Sequence, residues 1–210
     1  MKIKRMQAGI YAANCYIIYN EDGNREALIV DPGGDSKSII EEINNNDLTL
    51  KAIVLTHGHG DHIGGVTPLK KHFNVPVMIH KDDVEMVKDH ALNLSGNMAT
   101  GPVSFEPDTL LKDGDKIEFG DLYLKVIHTP GHTKGGICLY YPGVLFTGDT
   151  LFEGSIGRTD LYGGDYDTLM RGIKNKILQL PEDTIIYSGH GGQSTLKKEK
   201  MTNPFLRKIQ

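Results

Sequence analysis

Cysteine is scarce. The chain has two in 210 residues, Cys15 and Cys138, each inside an apolar, strand-like run. They have no CxxC spacing and are too few for a disulfide framework, so both read as small buried core residues. Long apolar runs are missing too. No stretch approaches 18 consecutive apolar residues, which argues against a membrane-spanning helix. The basic start is followed by an apolar stretch broken at Asn14, unlike a secretory signal. Positive charge is also short. The net charge is −4, with +3 on residues 1–6 and +4 on residues 194–210, leaving −11 on the span 7–193. An acidic body matches a phosphate-tracking surface poorly, so nucleic acid is not an expected partner, and neither is a membrane. No linker-like composition shift divides the chain. The expectation is one domain over 1–210, in a reducing cytoplasm.

Glycine, by contrast, is abundant: 25 residues, many beside histidine or aspartate, as in loops that bring backbone close to chemistry. Strand-like runs at Cys15–Tyr19 and Ala27–Val30 flank turn chemistry at 21–24. A helix follows, capped by Asp35 or Ser36, with Ser38 and Glu41 spaced as a capping box and Ile39, Ile40 and Ile43 on one face. The strand Lys51–Leu55 runs into Thr56-His57. A helix near Val66–Phe73, a strand at Val75–Ile79 and a helix near Asp82–His90 give a βαβα rhythm. Residues 93–108 lack periodicity and read as a long surface loop of the kind that often carries function. Strands at Lys116–Phe119, Leu122–Ile127, Ile137–Tyr141 and Val144–Phe146 come next. A helix from Tyr166 to Leu178 carries Leu169, Ile173 and Ile177 at helical spacing, before a last strand at Thr184–Tyr187.

Four strand ends deliver a histidine or aspartate flanked by glycine. They are His57-Gly58-His59-Gly60-Asp61-His62, Gly131-His132, Gly148-Asp149 and Gly189-His190. Imidazole and carboxylate suit zinc, iron and manganese, and seven such groups furnish two adjacent ions if one carboxylate bridges. A metal centre is expected from the HxHxDH spacing alone. Asp31 reads either as a support that orients a ligand loop or as a strand-ending turn. Arg158 reads either as a substrate contact or as a partner of Asp160. His72, His80, His90 and His128 lack the glycine context and read as structural; Asn14 and Tyr16 read as strand packing.

These motifs, in this order, resemble those of the metallo-β-lactamase fold superfamily. Gly148-Asp149-Thr150-Leu151-Phe152 through Gly157-Arg158-Thr159-Asp160, and Glu199 to Phe205, are similar to small bacterial glyoxalase II-like hydrolases. The resemblance implies an α+β fold, a four-layer αβ/βα sandwich with its metal site at one edge between two sheets. It also implies a partition: His57, His59 and His132 on one metal; Asp61, His62 and His190 on the other; Asp149 bridging. Two divalent ions are expected as cofactors, zinc first, with iron and manganese open.

Such ions lower the pKa of water they hold from 15.7 to about 7, so no protein nucleophile is needed. Asp61 is the residue expected to accept the attacking water's proton. A thiol, with a pKa of about 8.5, departs without a dedicated acid, whereas an amide nitrogen needs one. That tilts the expectation mildly toward thioesters, and the glyoxalase II resemblance implies hydrolysis of a small S-(2-hydroxyacyl) thiol such as S-lactoylglutathione. Full-length glyoxalase II enzymes carry a helical domain after the last histidine; here 20 residues follow His190. Substrate contacts are accordingly expected from residues 93–108 and Ser155–Asp160. The alternative is an iron-dependent persulfide dioxygenase using His57, His132 and Asp149, with lactonase and nuclease readings behind it.

Overall fold

The computed structural model describes residues 1–9, 11–21 and 23–208. Two six-stranded sheets stack face to face, with helices outside each. The first holds β1 (Lys2–Ala8), β2 (Ala13–Tyr19), β3 (Glu26–Val30), β4 (Thr49–Val54), β5 (Val77–His80) and β6 (Thr109–Leu111), in that order. Its first three strands form an antiparallel meander, and β3 to β6 run parallel. The second holds β7 (Lys116–Phe119), β8 (Leu122–His128), β9 (Ile137–Tyr141) and β10 (Val144–Gly148). After a small hairpin of β11 (Leu151–Phe152) and β12 (Ser155–Ile156), β13 (Ile185–Ser188) pairs parallel with β10, and β14 (Ser194–Thr195) closes the edge.

Strand period two sorts the core into three apolar layers. On β2, Cys15 and Ile17 face outward to α1 (Ser36–Asn45) and, beyond the Gly60–Ile63 turn of α2, to α3 (Val66–Phe73); their neighbours there are Ile39, Ile43 and Leu69. Tyr16 and Ile18 point the other way, into the seam between the sheets, against Leu124, Leu139 and Phe146. The far face of the second sheet, Cys138 and Leu145 among it, packs on Leu169, Ile173, Ile177 and Leu196. The expected αβ/βα order is the one found. Both cysteines are free and buried. Among the described residues, no helix is long and apolar enough to cross a membrane.

Local expectations fail where hydrogen bonds override them. Asp35 occupies the N-cap of α1 with φ 45° and no side-chain cap; its Oδ2 accepts from Gly9 N at 3.2 Å instead. Ser38 lies inside that helix, so the Ser38–Glu41 capping box does not form. The helix expected from Asp82 is a 3-10 turn over Lys81–Asp83 followed by α4 (Val84–Lys88). The helix from Tyr166 is α5 (Tyr166–Gly172), continuing as a π turn through Ile173–Ile177. The turn at 21–24 includes Asp22, which lies outside the described residues. The segment 93–108 is more tightly held than a surface loop. Asn93 and Ser95 are fully buried, Asn93 Nδ2 donates to Met86 O and Val103 O, and Ser95 Oγ accepts from Val103 N.

Candidate metal centre

Each expected donor sits just beyond the C-terminal end of a strand, where the chain leaves its ladder and a tight turn aims the side chain over the sandwich edge. His57 to His62 follow β4, His132 follows β8, Asp149 follows β10 and His190 follows β13. The structure brings all seven together. His59 Nδ1 lies 2.9 Å from His132 Nε2, and the His57 ring packs on both, with centroids 4.9 and 4.8 Å away. His190 Nε2 lies 3.2 Å from His62 Nε2 and 3.2 Å from Asp61 Oδ2. Asp149 spans the two groups. Its Oδ1 is 3.4 Å from His62 Nε2, and its Oδ2 is 3.6 Å from His132 Nε2 and 3.7 Å from His190 Nε2. Gly189 makes room for this: a Cβ there would stand 2.2 Å from Asp149 Oδ1 and 2.7 Å from His62 Cε1.

Two donors on one tetrahedral zinc, each about 2.0–2.1 Å from it, stand about 3.3 Å apart, close to the spacings here. His57 Nε2 and Asp149 Oδ1 are buried with no hydrogen-bond partner. Stranded lone pairs of that kind are costly unless a cation takes them. The donor set therefore fits divalent metal ions.

Supporting contacts fix the rings. Thr56 Oγ1 donates to Asp31 Oδ2 at 2.5 Å and stands 3.1 Å from His57 Nδ1. Asp31 also accepts from Thr56 N at 2.7 Å and pairs with His62 Nδ1 at 3.1 Å. Asp31, His57 and His62 are close enough to be read as a third donor group, but the Asp31 oxygens are already engaged, so it orients the ligands instead. Its φ of 52° is uncommon for a residue other than glycine. His132 Nδ1 pairs with Arg158 O at 2.8 Å, which leaves Nε2 for the centre.

The electrostatics divide the histidines. Burial first, then the neighbouring imidazoles, hold His57 well below the usual histidine range. Burial and His132 bring His59 down to about 3. Both are thus kept in the neutral form that binds metal. For His62 burial pulls the same way, but Asp149, Asp61 and Asp31 outweigh it and raise it to about 10. Burial works against the Asp61 carboxylate, yet His62 and His190 hold it below the usual range.

Above the donors opens a cavity of about 520 Å³, within the usual range for small-molecule sites. Segment 93–108 contributes Leu94 and Met98, and the loop after β12 contributes Arg158 and Leu161. Of the two readings of Arg158, the structure shows the pair: its guanidinium makes a two-pronged contact with Asp160 at 2.7 and 2.8 Å, while the side chain also lines the cavity. A further group, His80, Asp82 and His128, clusters elsewhere. Its imidazoles stack at 3.9 Å with planes 16° apart. His80 Nδ1 accepts from Asp82 N at 3.3 Å and His128 Nε2 pairs with Lys134 O at 2.9 Å, so one nitrogen of each ring is already engaged and we read a packed pair there.

Sequence reasoning missed two supports. Asp83, fully buried, accepts from Gly58 N at 3.1 Å, Thr133 Oγ1 at 2.7 Å and Gly135 N at 2.6 Å, tying the His57–His62 turn to the His132 turn. Nothing local distinguishes it from Asp82 beside it. Asn14 and Tyr16 do more than pack. Asn14 Nδ2 donates to Ser188 O and Gly191 O, and Tyr16 Oη donates to Ser188 O at 2.6 Å, so the first sheet holds the His190 turn.

This fold and donor set are those of a metal-binding αβ/βα sandwich. The chain belongs to the metallo-beta-lactamase superfamily, whose family model matches residues 8–190. It is 39% identical over 209 residues to a probable metallo-hydrolase, YqgX, of Bacillus subtilis, covering 98% of each chain. It is 37% identical over 210 residues to the hydroxyacylglutathione hydrolase GloC of Haemophilus influenzae, again 98% of each. Among solved structures, the BLEG-1 B3 metallo-beta-lactamase superposes with a TM-score of 0.92 at 43% identity, over 98% of this chain and 99% of that one. TTHA1623 in a di-iron-bound form superposes with a TM-score of 0.83 at 33% identity, over 97% and 100%.

Proposed function

We propose that the chain is a binuclear metal-dependent hydrolase of the glyoxalase II type, cleaving thioesters of 2-hydroxy acids. The observation that carries this is the Asp149 carboxylate, whose two oxygens face different members of a seven-donor cluster. In this reading His57, His59 and His132 hold one ion, Asp61, His62 and His190 the other, and Asp149 both. Bound divalent ions supply Lewis acidity toward a carbonyl and make hydroxide available at neutral pH. Zinc suits the nitrogen and oxygen donors; iron and manganese do as well, and the di-iron form of TTHA1623 supports iron as a real alternative.

The chain's own residues do the positioning. Asp61 lines the cavity beside the other donors, and its carboxylate is the group placed to accept a proton from attacking water. Thr56, Asp31 and the Arg158 carbonyl hold ring orientation, so no ligand has to turn as the carbonyl becomes tetrahedral. Among the described lining residues, Asp61 and Asp149 are the only carboxylates, and both belong to the donor set, so no spare carboxylic acid stands by to protonate a poor leaving group. A thiolate needs none. The relationship to GloC supports the same substrate class. The assembly of Asp61, His62 and His190 beside the first triad favours two ions over the single iron of a dioxygenase.

The test is thiol release from S-D-lactoylglutathione and from S-D-lactoyl-N-acetylcysteamine by protein given two equivalents of zinc, against the His59→Ala variant. Metal-dependent release that the variant loses is expected. Release no greater than the variant's on both thioesters overturns the proposal, and oxygen uptake with an iron-loaded sample and a persulfide then tests the dioxygenase reading.

A further inference from the structure

For a hydrolase that takes its thioester into this cavity, the reading on which this inference rests, the wall around the substrate must hold its place while the donors act. Phe152, Ser155 and Ile156 of that wall belong to the β11–β12 hairpin. Its strands pair only Leu151 with Ile156 and Phe152 with Ser155, around a turn of Glu153 and Gly154. A hairpin this short is not stable by itself.

Its support comes from the far end of the chain. None of the described lining residues lies beyond His190, yet α6 (Leu196–Thr202) grips the hairpin tip from behind. Glu199 Oε2 accepts from Gly154 N at 2.8 Å, and Asn203 Nδ2 donates to Ser155 O at 3.0 Å. Asn203 Nδ2 also donates to Glu199 Oε2 at 2.8 Å, and Ser194 Oγ donates to Glu199 Oε1. Positions 199 and 203 are about one helical turn apart, so both side chains leave the same face. Both are fully buried. A buried carboxylate is costly to keep, and this one commits both oxygens to the grip. At the surface, Lys198 pairs with Glu153 of the same turn.

The base of the hairpin is fixed separately. Gly157 N donates to Thr150 O at 3.3 Å, and the Arg158 carbonyl is tied to His132. Among the described residues, no hydrogen bond joins Phe152, Ser155 or Ile156 to any of the seven donors; Phe152 meets the His190 ring edge-on, with centroids 6.2 Å apart. The tip is therefore free to loosen without turning a metal ligand.

We propose that Glu199 and Asn203 are positioning residues for substrate binding: from behind the cavity they fix the Phe152–Ile156 wall against which the substrate packs. Wall contacts act alike on substrate and transition state, so their loss raises KM and spares kcat.

The experiment measures kcat, KM and bound zinc for S-D-lactoylglutathione hydrolysis by the zinc-loaded parent, Glu199→Ala, Glu199→Gln and Asn203→Ala, with amide hydrogen exchange over residues 151–156. Both alanine variants are expected to raise KM about five-fold or more, with kcat within about two-fold and both zinc ions kept. Exchange should quicken in the hairpin and not in the His57–His62 turn. Glu199→Gln is the rescue: its Oε1 takes both bonds that Oε2 now accepts and its amide faces Ser194 Oγ, so KM stays within about two-fold of the parent. Asn203→Ala, which leaves Gly154 held, carries the test if Glu199→Ala does not fold. A parent KM in the alanine variants overturns the inference, as does a joint fall in kcat and zinc at unchanged KM. A glutamine variant as impaired as the alanine overturns the assignment to this hydrogen-bond geometry. If the parent hydrolyses no thioester, the thioesterase reading falls, and exchange alone decides the inference: parent protection of the hairpin in the alanine variants overturns it, and loss confined to the hairpin upholds it.

Discussion

Asp83→Ala tests whether the centre is held from behind. The carboxylate accepts three hydrogen bonds from two ligand-bearing turns, and two of the donors are backbone N–H groups. Alanine leaves both without their partner in a buried place, at about 1–3 kcal/mol each. The loss is offset in part, because burial already pushes the Asp83 carboxyl above the usual carboxylate range and that strain disappears with it. A net destabilisation of about 2–4 kcal/mol results, or about 5–15 °C in Tm for a chain of this size. The His57–His62 turn and the His132 turn are also uncoupled, so zinc affinity is expected to fall about 10–100-fold. The assay is thermal unfolding followed by circular dichroism, with and without zinc, alongside competition with a chromophoric chelator. A Tm within 2 °C of the parent, together with unchanged zinc affinity, would show that the carboxylate neither supports the fold nor aligns the donors.

Three further outcomes are expected. Asp149→Ala removes the oxygens facing both halves of the cluster and should lower bound metal from two equivalents to one or fewer, while His128→Ala keeps both; metal content after gel filtration decides, and the reverse result breaks the ligand assignment. Gly157→Ala places a Cβ about 1.8 Å from Asp149 O, so the parent metal content and activity should be lost even if the variant folds; retained metal would show that the loop has room to move. Burial, then His128, lowers His80 to about 4, so its contribution to stability is full above pH 6.5 and is lost as pH falls toward 4, because the unfolded chain takes up the proton first. The metal-free parent should therefore lose about 1–3 kcal/mol more than His80→Asn over that interval, measured by urea unfolding; parallel losses refute it.

Much of the centre is legible in the sequence because its donors are local exceptions. Histidine and aspartate between glycines, straight after apolar β-prone runs, stand out against any background, and all seven expected donors meet in the fold. Layer order is legible for a related reason: period-two apolar strands and the Ile39–Ile43 stripe can bury themselves in few ways. What stayed hidden depends on contacts between distant residues. Asp83 acts through Gly58, Thr133 and Gly135, which become its neighbours only when the two sheets stack. Asn14 and Tyr16 alternate as core strand residues should, and their hydrogen bonds to the His190 turn leave no trace in spacing. Segment 93–108 reads only as a long surface loop because its order comes from two buried polar side chains, Asn93 and Ser95, and not from periodicity. Asp35 stands at the N-cap as expected, but its carboxylate accepts from Gly9 N and makes no side-chain cap.

The donor cluster also has a mechanical side. His59 and His132, 73 residues apart, meet across the seam between the sheets, as do His62 and His190, 128 residues apart. An ion shared by either pair is a rivet through both plates, closing loops whose constraint on the unfolded chain is worth about 4–5 kcal/mol each by chain-entropy reasoning. Withdrawing metal would then open a line of weakness along the sandwich, and protease cuts should gather at the rim turns before the outer helices are touched. Scarcity of the ion would be felt by the cell as a shorter lifetime of the protein, in addition to its silence as a catalyst.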